Sequence, residues 1–387
     1  MTGQKESENS DRLSDLPDHL LLHIIQFMIT KHAIQTCILS KRWKDLWKSL
    51  TNLTLHHSRD GFHISNKFVS HILSDRDHSL PLHKLIYYYY HLISEDILHP
   101  DPAVSPETTL LEVMKYAASH NVQQLKIDVG QGLIKDLELP PSIFHCHSLT
   151  FLMLNFQHPD SHDYSKIIFP KSLNLPALKT LYLSFVTFTT SENGCAEPFS
   201  TCNMLSTLHI ICCSLQDDAK TLCISNSNVS SLVVGDPCMH TRGFYKDVVF
   251  CTPKLTFLTI MGFLGCVSPS VSNLPFLEKA NFDYGYRYNP FKESLLIDWL
   301  HLLANVKLMN ISFRTLREIQ HGIIPCFVRL KSLEIQMSCD ESLIFHEMIR
   351  GEVRKKATCI LQKCLHAKVD IILKSGSTSS KLEDDEV

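Results

Sequence analysis

The chain has 387 residues, 44% hydrophobic and 20% charged, which fits a globular protein with room for one small domain and a long repeat array. A formal net charge of −3 lacks the basic balance that phosphate-backbone binding demands, so no nucleic-acid partner is expected. Gly is scarce at 13, and the one close pair, Gly130 and Gly132, lacks the third Gly of a dinucleotide loop.

In chain order, residues 1–10 are polar and mixed in charge, with no apolar h-region, and read as a solvated tail. The longest apolar stretch, Leu20 to Ile29, is interrupted by His23 and Gln26 and is too short to span a bilayer. The expectation is an intracellular protein, cytoplasmic and/or nuclear, with no membrane partner.

Residues 11–50 read as a domain of three helices. Asp15 is placed to cap the first, with Pro17 in its opening turn. Leu20, Leu21, Ile24, Ile25 and Met28 then recur at steps of three and four. A second helix is predicted over Lys31–Leu39. A third, capped by Ser40, is predicted over Lys41–Trp47 and sets Trp43 and Trp47 one turn apart. So short a domain cannot enclose a large core. Its big side chains either pack on the first repeats or keep an apolar face for a partner.

From residue 51 to 340 a repeat takes over. The template L-x-x-L-x-L, with other apolar residues allowed, recurs at Val122/Leu125/Ile127, Leu149/Leu152/Leu154, Leu178/Leu181/Leu183 and Leu205/Leu208/Ile210. It continues at Val229/Leu232/Val234, Leu255/Leu258/Ile260, Leu277/Ala280/Phe282, Val306/Met309/Ile311 and Leu330/Leu333/Ile335. Successive units lie 22 to 29 residues apart, the spacing of leucine-rich repeats. Each unit would be a strand plus a returning segment, stacked so that neighbours bury one continuous core. In the fourth unit Cys213 stands where a thiol can satisfy backbone groups in the turn after the strand. Two weaker units, Leu50/Leu53/Leu55 and Leu82/Leu85/Tyr87, read as irregular entry coils, the first alternatively as a helix end, and Tyr87–Tyr90 as strand and core. Helices are predicted over Glu107–His120 and Leu295–Ala304.

Within each repeat strand the residues flanking the second and third template positions point outward, onto the expected concave face. Most are polar. Phe151, Met153, Tyr182, Ile211, Phe257 and Met261 are not, and large apolar side chains on a solvent face mark a candidate target-binding patch. A loop covering these residues, or a register slip by one, is the alternative.

Residues 341–373 leave the template. Ile344, Phe345, Met348, Ile349 and then Ala357, Ile360, Leu361, Cys364 have helical spacing, and Val369–Leu373 reads as a strand, together a terminal cap. Residues 374–387 form a Ser-rich, then acidic, tail.

The 14 Cys include no C-x-x-C pair and read as small buried hydrophobes. His145-Cys146-His147 places its ligand types side by side, where they do not converge on one ion, so no metal is expected. With no H-E-x-x-H, G-x-S-x-G or P-loop, no catalytic residue and no cofactor are expected, and the chain reads as a non-enzyme.

The string Leu16-Pro17-Asp18-x-Leu20-Leu21-x-x-Ile24, followed by Leu39-Ser40-Lys41-Arg42-Trp43-x-x-Leu46-Trp47, closely resembles the F-box motif, in the form that heads plant F-box/LRR-repeat proteins. The segments 139–152 (LPPSIFHCHSLTFL) and 175–181 (LPALKTL) resemble the repeats of such proteins. Residues 331–373 match poorly the further module that ends many of them. The resemblance implies an α/β fold: a small three-helix F-box domain, a leucine-rich-repeat solenoid with parallel strands on its concave face, and a C-terminal cap. It implies a substrate-recognition subunit of an SCF-type cullin ubiquitin ligase, docking on a Skp-type adaptor and binding a target protein through the repeats. Leu16, Pro17, Leu20, Leu21, Ile24, Leu39, Trp43 and Leu46 would face the adaptor, some of them holding the helices together instead. A repeat scaffold outside any ligase, or a ligand-dependent receptor of the same architecture, are the alternatives.

Overall fold

The computed structural model describes residues 13, 15–57, 66–90, 106–130, 137–157, 167–190, 194–216, 221–236, 247–262, 268–271, 274–283, 293–318 and 324–337. It also describes scattered positions from 351 to 362 and residues 368–373; the expected tails and most of residues 341–367 lie outside the described residues. The chain divides into two compact units, residues 1–159 and 160–387.

The first unit opens with α1 (Asp18–Gln26) and α2 (Thr30–Gln35), the latter running into a 3-10 turn over Thr36–Ile38. Pro17, extended at ψ 151°, precedes α1, and no side chain caps it. Asp15 lies two residues too early for the capping role expected of it. The third predicted helix is also corrected: residues 41–45 are successive turns and Leu46–Ser49 a 3-10 helix. The Trp43 amide bonds to the Ser40 carbonyl and Leu46 to that of Trp43, the i→i−3 pattern that tightens a chain. Both indoles turn inward, and Arg42 reaches back to Asp18 at 2.7 Å and to the Leu16 carbonyl. Those ties draw the segment onto the entry of α1.

The two weak leading repeats are regular strands, β1 (Asn52–His57) and β2 (Lys84–Tyr89), in parallel register. They pair on to β3 (Gln124–Val129) and β4 (Phe151–Phe156). Leu53, Leu85, Leu125 and Leu152 stand opposite one another, as do Leu55, Tyr87, Ile127 and Leu154, all at most 1% exposed. Their long intervals from the next units are filled by helices: α3 (Asn66–Asp75), which the sequence reading missed, and α4 (Pro106–Ser119), close to its predicted span. Just beyond α3, Arg76 is 1% exposed and donates to the carbonyls of Leu50, Leu80 and Pro81 at 2.8–3.1 Å. It satisfies carbonyls that the irregular chain leaves over. The Thr54 amide donates to Thr30 Oγ1 at 2.8 Å, so the helical segment is bonded directly to the first repeat strand.

The second unit carries two layers of parallel strands. On one side run β6 (Thr180–Ser184), β9 (Thr207–Ile211), β12 (Ser231–Asp236), β14 (Phe257–Gly262), β16 (Lys279–Asp283), β17 (Leu308–Ser312), β18 (Ser332–Met337) and β19 (Lys368–Leu373). On the return side lie two small sheets. One holds β5 (Ile168–Phe169), β7 (Thr187–Phe188) and β10 (Ser214–Leu215). The other holds β8 (Cys195–Ala196), β11 (Thr221–Ser225), β13 (Asp247–Cys251) and β15 (Ser268–Val271). The unit also holds α5 (Glu293–Leu302), close to expectation, and α6 (Phe313–Glu318), which the sequence reading missed.

The template residues again form straight rows: Leu181, Leu208, Leu232, Leu258, Ala280, Met309 and Leu333 stand in register, each at most 1% exposed. Behind them aromatic rings meet edge to face, Phe169 on Phe188 at 5.6 Å and Phe188 on Phe199 at 5.7 Å. Where α5 replaces a return strand, the buried Trp299 fills the layer against Phe250 and Phe282.

Polar groups are tied coil to coil. Thr150, Ser206, Ser230 and Thr256, each just before its strand, donate their hydroxyls to the corresponding carbonyl one repeat earlier, at 3.0–3.3 Å. Buried Asn226 donates to the Phe199 and Cys202 carbonyls, both at 2.9 Å. Cys213 does as expected, its thiol donating to the Leu183 carbonyl at 3.6 Å. Two cysteines depart from the expectation of free thiols: Cys195 and Cys223 are disulfide-bonded, because consecutive coils bring β8 and β11 side by side. The strand predicted at 369–373 is β19, which extends the ladder from β18 in parallel register.

Candidate functional site

The helical segment presents the clearest unpartnered surface. In α1 two apolar stripes run at helical spacing. Leu21 and Ile25 point inward at 0% exposure, while Leu20 at 40% and half-buried Ile24 face the other way. Just past the helix Phe27 is 80% exposed, its ring edge against His23 at 5.0 Å, with Met28 beside it. Ile38 and Leu39 stand out from the end of the second helical stretch at 84% and 61%, and Leu13 is exposed before α1.

Of the eight residues expected here, Leu20 and Leu39 are exposed, as is Pro17, and Leu16, Ile24 and Leu46 are half-buried. Leu21 and Trp43 are interior and hold the helices together. Sequence reasoning missed Leu13, Phe27, Met28 and Ile38 as surface groups. The signal available for α1 was its second stripe; none marked Ile38, because the 3-10 turn shifts the helical phase there.

The outer faces of the strands form the second candidate. In the first unit Phe151 is half-buried, but Met153 is only 6% exposed, so it lines the sheet rather than projecting from it. Beside it, in register, Lys126 Nζ sits over the Tyr88 ring at 5.1 Å, and Tyr88 meets His56 at 4.5 Å. Burial, and then the Lys126 charge, push the His56 imidazole below its ordinary range. Asp128 is 8% exposed and accepts from Asn155 at 2.9 Å. Burial first, then this carboxylate, push the Tyr90 phenol up. Tyr87 and Tyr89 are core, as expected of that run, whereas Tyr88 and Tyr90 belong to the outer face. A Cβ on Gly130 would meet the Tyr90 ring at 2.5 Å, so a larger residue there requires that ring to shift.

In the second unit Tyr182, Ile211, Phe257 and Met261 are half-buried on the outer face. Tyr182 stacks obliquely on His209 at 4.1 Å, and burial alone pushes that imidazole down to about 4, leaving it neutral near pH 7. Met261 closes over Gly235, where a Cβ would meet its Cβ at 2.8 Å. The outward positions of β6, β9, β12 and β14 hold no Asp, Glu, Lys or Arg. Those of β16 and β18 hold Lys279, Asp283 and Glu334. Lys279 Nζ lies 5.3 Å over the Phe257 ring and marks the boundary.

Among the described residues no group of three or more His, Cys, Asp or Glu could hold a metal ion. His145 Nδ1 is bonded to the Pro141 carbonyl and Cys146 is buried. Among the described residues no helix is long and apolar enough to cross a membrane.

An apolar-faced helical segment, bonded to a parallel-strand solenoid of leucine-rich-type repeats, defines an F-box/repeat architecture. Residues 13–55 match the F-box domain family, and residues 110–274 match the LRR repeats of FBD-associated F-box protein At5g56370. By these two matches the chain carries an F-box domain followed by FBD-associated LRR repeats. Among the proteins it is similar to are three of Arabidopsis thaliana. Putative F-box/FBD/LRR-repeat protein At4g13965 is 30% identical over 279 residues, 70% of this chain and 58% of that relative. F-box/LRR-repeat protein At4g14103 is 27% identical over 85% of this chain and 86% of its own length. Putative F-box/LRR-repeat protein At4g15060 is 24% identical over 98% and 88%.

Proposed function

We propose that this chain is the substrate-recognition subunit of an SCF-type cullin ubiquitin ligase. Its F-box helices dock on a Skp-type adaptor, and through it a cullin, while the outer face of the repeat strands holds a target protein. One observation carries the reading: six of the ten large apolar side chains exposed among the described residues lie within residues 13–39. So concentrated an apolar surface on so small a domain suits a protein interface, with Phe27, Ile38 and Leu39 as its anchors.

The role is binding rather than catalysis. Holding target and transfer machinery on one scaffold raises the effective concentration of target lysines around the ligase. The target patch is Tyr182, Ile211, Phe257 and Met261, all on the outer face of the second unit.

The test is a pull-down of the full chain by recombinant Skp-type adaptor, wild type against Ile38→Asp/Leu39→Asp. Both side chains are exposed, so the fold tolerates the change. Retention of wild type and loss of the variant is expected. Equal retention, or no retention of folded wild type, would remove the adaptor role.

A further inference from the structure

Cys195 and Cys223 are a cross-coil pair that differs from the other described cysteines. Their strands, β8 and β11, are adjacent and parallel, with Cα atoms 6.5 Å apart, inside the about 4.4–6.8 Å that a disulfide spans. Both are half-buried, within reach of a small thiol. Cys146, Cys202, Cys212 and Cys213 are buried, and burial pushes the Cys202 thiol up to about 11, which leaves it inert. Cys251 is exposed but lies beyond the pair, opposite Ser225 in β13.

The bond closes 28 residues of sequence, one turn of the solenoid, and that turn contains all of β9 with His209 and Ile211 on its outer face. We propose that Cys195 and Cys223 form a reversible thiol–disulfide site, exchanging with small disulfides of the glutathione class, which braces this coil when oxidised. One cysteine thiolate attacks the small disulfide and expels a thiolate. The second then attacks the mixed disulfide and expels the other. Two electrons leave the protein sulfurs, one S–S bond breaks as another forms, and the two protons pass to the two released thiols.

The full chain is equilibrated in buffers of reduced and oxidised glutathione, quenched in acid, alkylated and mapped by mass spectrometry. Cys195 and Cys223 are expected to lose alkylation together and to appear as one cross-linked peptide pair, while Cys251 and Cys326 do not cross-link. The oxidised chain should melt about 5–10 °C above the reduced chain, and Cys195→Ser/Cys223→Ser should show no such difference. Full alkylation of both cysteines at every poise, separate glutathione adducts on each, or a melting midpoint indifferent to the bond would each overturn the proposal.

Discussion

The F-box segment and the repeat strands are built from the same aliphatic residues put to opposite use. In the repeats Leu181, Leu208, Leu232 and Leu258 stand shoulder to shoulder in a dry row, and each is buried by its neighbours. In the F-box segment only one stripe is spent on the fold. Leu20 on the other stripe, with Phe27, Ile38 and Leu39 beyond the helix, stays in solvent. Where an apolar side chain repeats from coil to coil it stabilises the chain. Where it has no such neighbour it stays exposed, and the proposed adaptor interface draws on that surface.

The contrast is broken most severely inside the array. Leu232→Ala, in the middle of a row, should cost about 2–5 kcal/mol in urea unfolding. Ile38→Ala should stay within about 0.5 kcal/mol of wild type by the same assay. Equal losses would dissolve the distinction. Arg76→Met comes next. It leaves the Leu50, Leu80 and Pro81 carbonyls without their buried donor, an expected loss of about 3 kcal/mol in the same denaturation.

A third effect is pH-dependent and sits on the outer face. His209 is neutral in the fold because burial lowers its pKa from 6.5 to about 4. The unfolded chain therefore binds the proton first, so this contribution is complete above about pH 6.5 and is lost as pH falls towards 4. It amounts to at most about 3 kcal/mol. Denaturation midpoints from pH 7 to 4 should fall less steeply for His209→Phe than for wild type; parallel curves would refute the assignment. The smallest effect belongs to Arg42→Ala. The exposed tie to Asp18 should be worth under about 1 kcal/mol, read as a shift of a few degrees or less in melting.

Much of this was legible in the sequence because the repeat writes the same instruction many times. The position of every template strand follows from the apolar hexamers, since a period-two pattern in register permits only one face inward. What stayed hidden was set by single contacts. Residues 41–47 have helical spacing, yet Arg42 and the two indoles tie them into turns. The entry strands β1 and β2 were obscured by their long intervals, which α3 and α4 fill. Met153 has the outward phase of its strand but is covered by its neighbours. Cys195 and Cys223 carry no motif, and only the stacking of coils brings them together.

The most direct test of the central claim is calorimetric titration of a recombinant Skp-type adaptor into the full chain at two temperatures. Docking through this apolar face requires one-to-one binding with a negative heat-capacity change, and at least about 30-fold weaker binding by Ile38→Asp/Leu39→Asp. Absence of binding by the folded wild type, or equal affinity of the variant, would contradict it.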